Sequence, residues 1–153
     1  MRILSWNVNG LRACTRKGFP RWLSRSRAEI VGVQEVRALV EQLEPGVARP
    51  RRWHTHFVAA EKKGYSGVGL YSRHTIDHVE TSLGADELDR EGRLQIVRVG
   101  DLTVANAYFP NGNGTTLPGG KRSNDRVPYK LRFYRALFDR LESERSAGKP
   151  MLV

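Results

Sequence analysis

The stretch VPYKLRFYRALFDRLESERSAGKPMLV, residues 127–153, decides the fold class. Val127, Leu131, Tyr134, Phe138 and Leu141 recur at helical spacing, which predicts an amphipathic helix with a single apolar stripe. Pro128 suits its first turn, and Asn124 or Asp125 is placed to cap it. Gly148 acts as a C-terminal stop, Pro150 follows it, and Met151-Leu152-Val153 opens a buried strand. Helix, glycine, proline and apolar strand make an α-to-β connection. The expected class is therefore α/β, with the last residues entering another core strand and the layers incomplete.

Working back from that helix, most of the chain reads as short strands. Arg2 to Val8 alternates and ends at the turn signal Asn9-Gly10. Ile30-Val31-Gly32-Val33 is a short apolar run of the kind buried on both faces of a sheet, and it leads straight into Gln34-Glu35. Trp53 to Ala60, Val68 to Ser72, Ile76 to Val79, Leu94 to Val99 and Leu102 to Phe109 are further strands. Phe19 to Ser26 is expected to be helical, with Pro20 in its first turn, and Arg37 to Leu43 to be a short helix closed by Pro45-Gly46. Arg49-Pro50-Arg51-Arg52 reads as a basic loop. The sequence contains no internal repeat and no low-complexity segment.

The bulk properties narrow the function classes. A chain of 153 residues, 39% hydrophobic and 27% charged, is long enough for one domain with a real core. Its 26 Lys and Arg against 16 Asp and Glu give a formal charge of +10, which favours a polyanionic partner, nucleic acid before membrane. Cys14 is the only cysteine, so an intrachain disulfide and a cysteine zinc site are both excluded. The start MRILSWNV lacks the apolar core of a signal peptide, and no run is long enough to span a bilayer. The expectation is a cytoplasmic protein.

Several polar residues stand where chemistry gathers. Asn7 and Glu35 each end a strand, where loops of layered α/β folds carry their sites. A carboxylate and an amide oxygen side by side suit a hard cation such as Mg²⁺ or Mn²⁺. The alternative is a strand-end glutamate paired with Arg37 or another arginine. Lys62-Lys63-Gly64-Tyr65-Ser66-Gly67-Val68-Gly69 can either bring backbone N–H groups to a phosphate or make a hairpin turn with solvated charges. At Asn106-Ala107-Tyr108 a strand opens into the Asn111-Gly112-Asn113-Gly114 loop, which either places an amide and a phenol at a functional junction or leaves Tyr108 in the core and the Asn-Gly pairs as turns. Gly119-Gly120-Lys121-Arg122 fails as a phosphate-binding loop: Thr115 replaces its first glycine and Arg122 its Ser/Thr. His54 and His56 share a strand face with no third soft ligand nearby and read as ordinary strand histidines. Asp86-Glu87, Asp89 and Glu91 read as a solvated acidic loop.

Taken together, LSWNVNGLRA, VGVQEVR, KKGYSGVGLYSR, EGRLQ, NAYFPNG and RVPYKLRFYRALFDRLE resemble, in order and spacing, the exodeoxyribonuclease III and AP endonuclease family of the exonuclease–endonuclease–phosphatase superfamily. The resemblance covers nearly all of the chain. It implies the N-terminal part of a four-layer α/β sandwich with two facing mixed sheets. Residues 1–153 would form a single incomplete domain, cut before a Gly-Asp-x-Asn motif that would follow KPMLV. It also implies a Mg²⁺-dependent (or Mn²⁺-dependent) DNA-repair nuclease that incises double-stranded DNA 5′ to abasic sites and degrades it from 3′ ends. Such a protein would be monomeric when complete, and nucleoid-associated if bacterial.

By the same resemblance Asn7 and Glu35 hold the metal, and Tyr108 is the catalytic phenol on the scissile phosphate. Asn111 contacts phosphate, and Gly64, Tyr65 and Ser66 grip the DNA backbone. Asn9 matches a position near the metal, while Arg93 and Lys130 match basic positions of the family. The Asp that acts on the attacking water, and a final Asp-His pair, have no counterpart in these 153 residues. Two expectations therefore stand: half the site of an active nuclease, or a catalytically inactive remnant that acts as a DNA-binding module. In either case the isolated chain is expected to be poorly soluble and unable to nick DNA.

Overall fold

The structure, a computed structural model, describes residues 1–148 and 150–153. It divides into two compact units, residues 1–108 with the C-terminal strand, and Phe109–Gly148.

The first unit holds two four-stranded sheets. One is built from β1 (Ile3–Asn7), β2 (Ile30–Gln34), β3 (His54–Val58) and β4 (Val68–Ser72) in the order β1-β2-β4-β3. β1 runs parallel to β2, and β4 is antiparallel to both β2 and β3. The other is built from β5 (His78–Glu80), β6 (Leu94–Val99), β7 (Leu102–Ala107) and β8 (Met151–Leu152) in chain order, antiparallel except for the parallel β7–β8 pair. Both sheets are mixed, as expected from the resemblance.

Burial on both faces explains why β2 is apolar from Ile30 to Val33. Val31 and Val33 join an outer core with Leu11 and Cys14 of α1 (Leu11–Arg16), Phe19 and Leu23 of α2 (Phe19–Arg25), and Tyr71. Ile30 points the other way, into the layer between the sheets, with Leu70, Val97, Val99 and Val104. At Gly32 the sheets approach so closely that a Cβ would lie 3.0 Å from Asn106 Oδ1. This layer turns polar toward the C-terminal end of β2. There Gln34 Nε2 donates to Asn106 Oδ1 at 2.7 Å, and Asn106 Nδ2 donates to the Gly69 carbonyl at 2.8 Å. His56 Nδ1 meets Gln95 Oε1 at 2.9 Å, which is a structural role for that histidine.

The second unit consists of a loop pinned by the Thr116–Arg122 bridge, followed by α5 (Val127–Ser146). The residues rejected as a phosphate-binding loop lie within and beside this bridge.

Several local expectations are corrected. Pro45 opens the helix α3 (Pro45–Ala48) rather than closing one, and only Val40–Gln42 forms a 3-10 turn before it. α1 and the short α4 (Asp86–Asp89) were not anticipated; Leu88 is buried and anchors the acidic segment. The buried row of α5 is Phe133, Leu137 and Leu141, while Leu131 and Phe138 are 56% and 59% exposed. The helix carries two adjacent apolar rows, and the period alone does not say which is covered. Neither Asn124 nor Asp125 caps α5 with its side chain: the Asn124 carbonyl accepts the Val127 N–H, and the Asp125 carboxylate accepts from Ser123 and Thr115. Gly148 does stop the helix, at φ +71°. β8 is an edge strand with Leu152 43% exposed, not a buried one.

Candidate active site

Three loops at one end of the first sheet are laced together by backbone. Gly10 N–H donates to the Glu35 carbonyl at 2.7 Å and Leu11 N–H to the Val36 carbonyl at 3.0 Å. Val36 and Arg37 N–H donate to the Gly67 and Ser66 carbonyls at 3.0 and 2.8 Å. Within these loops Asn9, Glu35, Arg37 and Ser66 all have positive φ, between 47° and 55°. Such a cluster of left-handed non-glycine residues costs on the order of 1 kcal/mol each and persists only where the surroundings enforce it, typically at functional sites.

Glu35 is the centre. Its Oε1 accepts from Asn7 Nδ2 at 2.9 Å and from the Tyr108 hydroxyl at 2.7 Å, while Oε2 takes the Arg37 guanidinium. Residues from β1, the end of β2 and the end of β7 thus converge on one carboxylate, so the two sheets each contribute to the cluster. Both readings of Glu35 meet here: it has the amide and phenol neighbours of a site, and it is ion-paired to Arg37. The Glu35 side chain is 13% exposed and that of Arg37 44%. Burial pushes the Glu35 pKa up, but hydrogen bonds from Asn7 and Tyr108 and the Arg37 charge outweigh it and hold the carboxyl below its ordinary range. The Tyr108 phenol is raised, by burial first and then by its bond to anionic Glu35, with Arg93 opposing.

Arg93 is buried, and its guanidinium is fully engaged. Nε donates to Glu91 Oε2 at 2.6 Å, Nη1 to the Tyr108 carbonyl at 3.1 Å and Nη2 to the Tyr65 hydroxyl at 2.8 Å. It also stacks on the Tyr108 ring at 4.5 Å from the centroid. Arg93 therefore ties the Tyr65 loop to Tyr108 from beneath. The EGRLQ motif gave its basic position, but neither this burial nor the partnership with Glu91 has a sequence signal.

The remaining expected residues fall as follows. Asn9 is exposed beside Asn7, whose Oδ1 accepts its N–H at 3.0 Å. Gly64 is exposed at φ +71°, and Ser66 is buried with its hydroxyl unpartnered. Asn9, Gly10 and Gly64 share with Arg12, Arg16 and Arg37 an open cleft of about 440 Å³ next to Glu35. Arg12 and Arg16 were not singled out from sequence, and among the described residues neither meets a carboxylate. Asn111 and Lys130 belong to the second unit, Asn111 exposed and the Lys130 ammonium 5.4 Å from the Tyr134 ring centroid. No three His, Cys, Asp or Glu side chains cluster among the described residues. No helix there is long and apolar enough to cross a membrane.

The chain is similar to several known proteins over nearly all of its length. An exodeoxyribonuclease of Bacillus subtilis (strain 168) is 31% identical over 154 residues, covering 100% of this chain and 56% of the relative. A DNA-(apurinic or apyrimidinic site) endonuclease of Dictyostelium discoideum is 24% identical over 152 residues, or 99% of this chain and 40% of the relative. Among solved structures, a 3′-5′ exonuclease of Neisseria meningitidis matches with TM-score 0.78 and 25% identity over 95% of this chain and 53% of that one. An AP endonuclease from Archaeoglobus fulgidus shares the fold at TM-score 0.76 and 23% identity, over 94% of this chain and 52% of its own. The chain thus spans about half the length of these relatives. With a family model matching residues 4–153, the chain belongs to the Endonuclease/Exonuclease/phosphatase family.

Proposed function

We propose that this chain is the N-terminal part of a metal-dependent DNA-repair nuclease of the exodeoxyribonuclease III and AP endonuclease type, acting on abasic sites and 3′ ends of double-stranded DNA. The observation that carries the reading is the convergence of Asn7, Glu35 and Tyr108 beside an arginine-lined cleft.

The residues present fit a hard divalent cation. Glu35 would supply a carboxylate and Asn7 its Oδ1, which here accepts the Asn9 N–H while Nδ2 faces Glu35, so the amide would turn over to complete a donor set suited to Mg²⁺. Arg37 occupies one Glu35 oxygen but is exposed enough to swing away. Bound there, the ion would neutralise phosphate charge and polarise a phosphate oxygen. The Tyr108 hydroxyl, raised in pKa and so protonated at neutral pH, turns from Glu35 to donate to a non-bridging oxygen of the scissile phosphate. Arg12, Arg16 and the Gly64-Tyr65-Ser66 turn hold flanking phosphates, which makes binding fall with salt. By the resemblance alone, Asn9, Asn111 and Lys130 are each assigned a part in substrate binding.

Within this cluster Glu35 is the one carboxylate, and it is committed to Asn7, Tyr108 and Arg37. Among the described residues no second acid stands beside it to take a proton from the attacking water. The 153 residues by themselves are therefore expected to bind DNA without nicking it. The test is incision of an abasic-site duplex in Mg²⁺ by the longest protein that carries this sequence, wild type against Glu35→Ala. Loss of incision with retained folding is expected, and unchanged incision by the variant removes Glu35 from the metal site.

A further inference from the structure

A second cleft, of about 500 Å³, opens at the opposite end of the first sheet. It lies where β3 begins and β4 ends, five strand residues from the Gln34–Val68 pair next to Glu35, or about 17 Å along the sheet. Its charged lining comes from the basic loop that the nuclease reading leaves unused, Arg51 and Arg52, together with Arg73 at the end of β4. No carboxylate lines it. All three arginines are exposed, and among the described residues none is ion-paired. Pro20 and Leu23 of α2 and Trp53 give the cleft an apolar part.

Two features suggest that the cleft is built rather than incidental. Arg73 is held in place: its guanidinium carbon lies 4.3 Å from the centroid of a Trp53 ring, and Nε donates to the Ala28 carbonyl at 3.3 Å. A guanidinium fixed in this way loses little entropy on meeting an anion. Arg52 adopts φ +65°, a strained conformation for a side-chain-bearing residue, and the neighbouring Pro50 stiffens the same loop.

We propose that this cleft is a binding site for a nucleoside polyphosphate, separate from the Glu35 site. Three guanidinium groups match a phosphate chain in charge and fork geometry, and the apolar lining beside Pro20 and Trp53 suits the flat face of a nucleobase. The volume is that of a small-molecule pocket.

The test is calorimetric titration of the longest protein that carries this sequence with ATP, without metal, against inorganic tripolyphosphate and a short single-stranded oligonucleotide. Saturable binding of ATP is expected. It should weaken at least about tenfold in Arg51→Glu/Arg52→Glu, which reverses two charge-assisted contacts. It should change less than about twofold in Arg12→Glu/Arg16→Glu, which alters the cleft beside Glu35. Arg51→Ala/Arg52→Ala gives the same reading with less perturbation should the charge reversals fail to fold. Absence of saturable ATP binding, or loss in the Arg12/Arg16 variant with none in Arg51/Arg52, overturns the site. Tripolyphosphate binding as tightly as ATP overturns the nucleoside part, and oligonucleotide binding more tightly than ATP at this cleft overturns the small-molecule assignment. None of these outcomes bears on incision at Glu35.

Discussion

Replacing Arg93 by methionine is the sharpest test of how the candidate site is supported. The side chain is 3% exposed and donates to Glu91, the Tyr108 carbonyl and the Tyr65 hydroxyl, the first as part of an ion pair. Breaking a buried pair by removing one partner costs about 3–5 kcal/mol. Glu91 retains 18% exposure, so it recovers some hydration and the pair falls at the low end of that range. The Tyr65 hydroxyl and Tyr108 carbonyl each lose a bond worth about 1 kcal/mol, while methionine keeps much of the apolar stem contact. These losses share one side chain and are not additive, so a net cost of about 3 kcal/mol is expected. At a urea slope of roughly 2 kcal/mol/M, the midpoint should fall by about 1.5 M. The assay is urea unfolding at low protein concentration, followed by far-ultraviolet circular dichroism. Arg93→Lys should lie between the two, because it keeps the charge but not the fork. Glu91→Gln/Arg93→Met should recover part of the loss, since the carboxylate charge that Arg93 balanced is removed with it. A midpoint for Arg93→Met within about 0.3 M of wild type would refute the reasoning, as would a double variant no better than the single one.

Other outcomes follow from the same geometry. Glu35→Gln removes the anion that helps hold the Tyr108 phenol up, so Tyr108 should ionise at lower pH, visible by ultraviolet difference titration; an unchanged curve would show the two groups to be uncoupled. Because the folded-state Glu35 pKa is depressed, its contribution to stability is present above the ordinary carboxylate range and lost as pH falls through the lowered value. That acid-side loss should be absent from Glu35→Gln in urea titrations between pH 6 and the acid limb. Gly92 and Gly100 share φ +56°, but a Cβ on Gly92 would lie 2.5 Å from the Ala59 carbonyl carbon and oxygen, whereas Gly100 has nothing within 4 Å. Gly92→Ala should therefore cost about 2 kcal/mol more than Gly100→Ala, and equal melting points would contradict the contact. Finally, Leu131→Lys/Phe138→Lys should reduce self-association of the chain in sedimentation velocity without lowering its melting temperature; strong destabilisation would mean that this helix face is not the exposed one.

The division between what is legible in sequence and what is not has a physical basis. By itself the sequence determined the α/β class, the positions of most strands, and Asn7, Glu35 and Tyr108 as polar residues at strand ends. These depend on local periodicity and on polar residues interrupting apolar runs, both of which are one-dimensional signals. Tertiary structure alone decided that these three residues meet. Tyr108 and Glu35 lie 73 positions apart, on different sheets, and only the packing of the sheets brings a phenol to 2.7 Å from that carboxylate. It also decided which of two apolar rows on α5 is covered, because helical period fixes that a face exists and not what it meets. Burial of Arg93 is the clearest case: an arginine reads as surface by default, and only Glu91, Tyr65 and the Tyr108 carbonyl arriving from elsewhere in the fold make its desolvation tolerable.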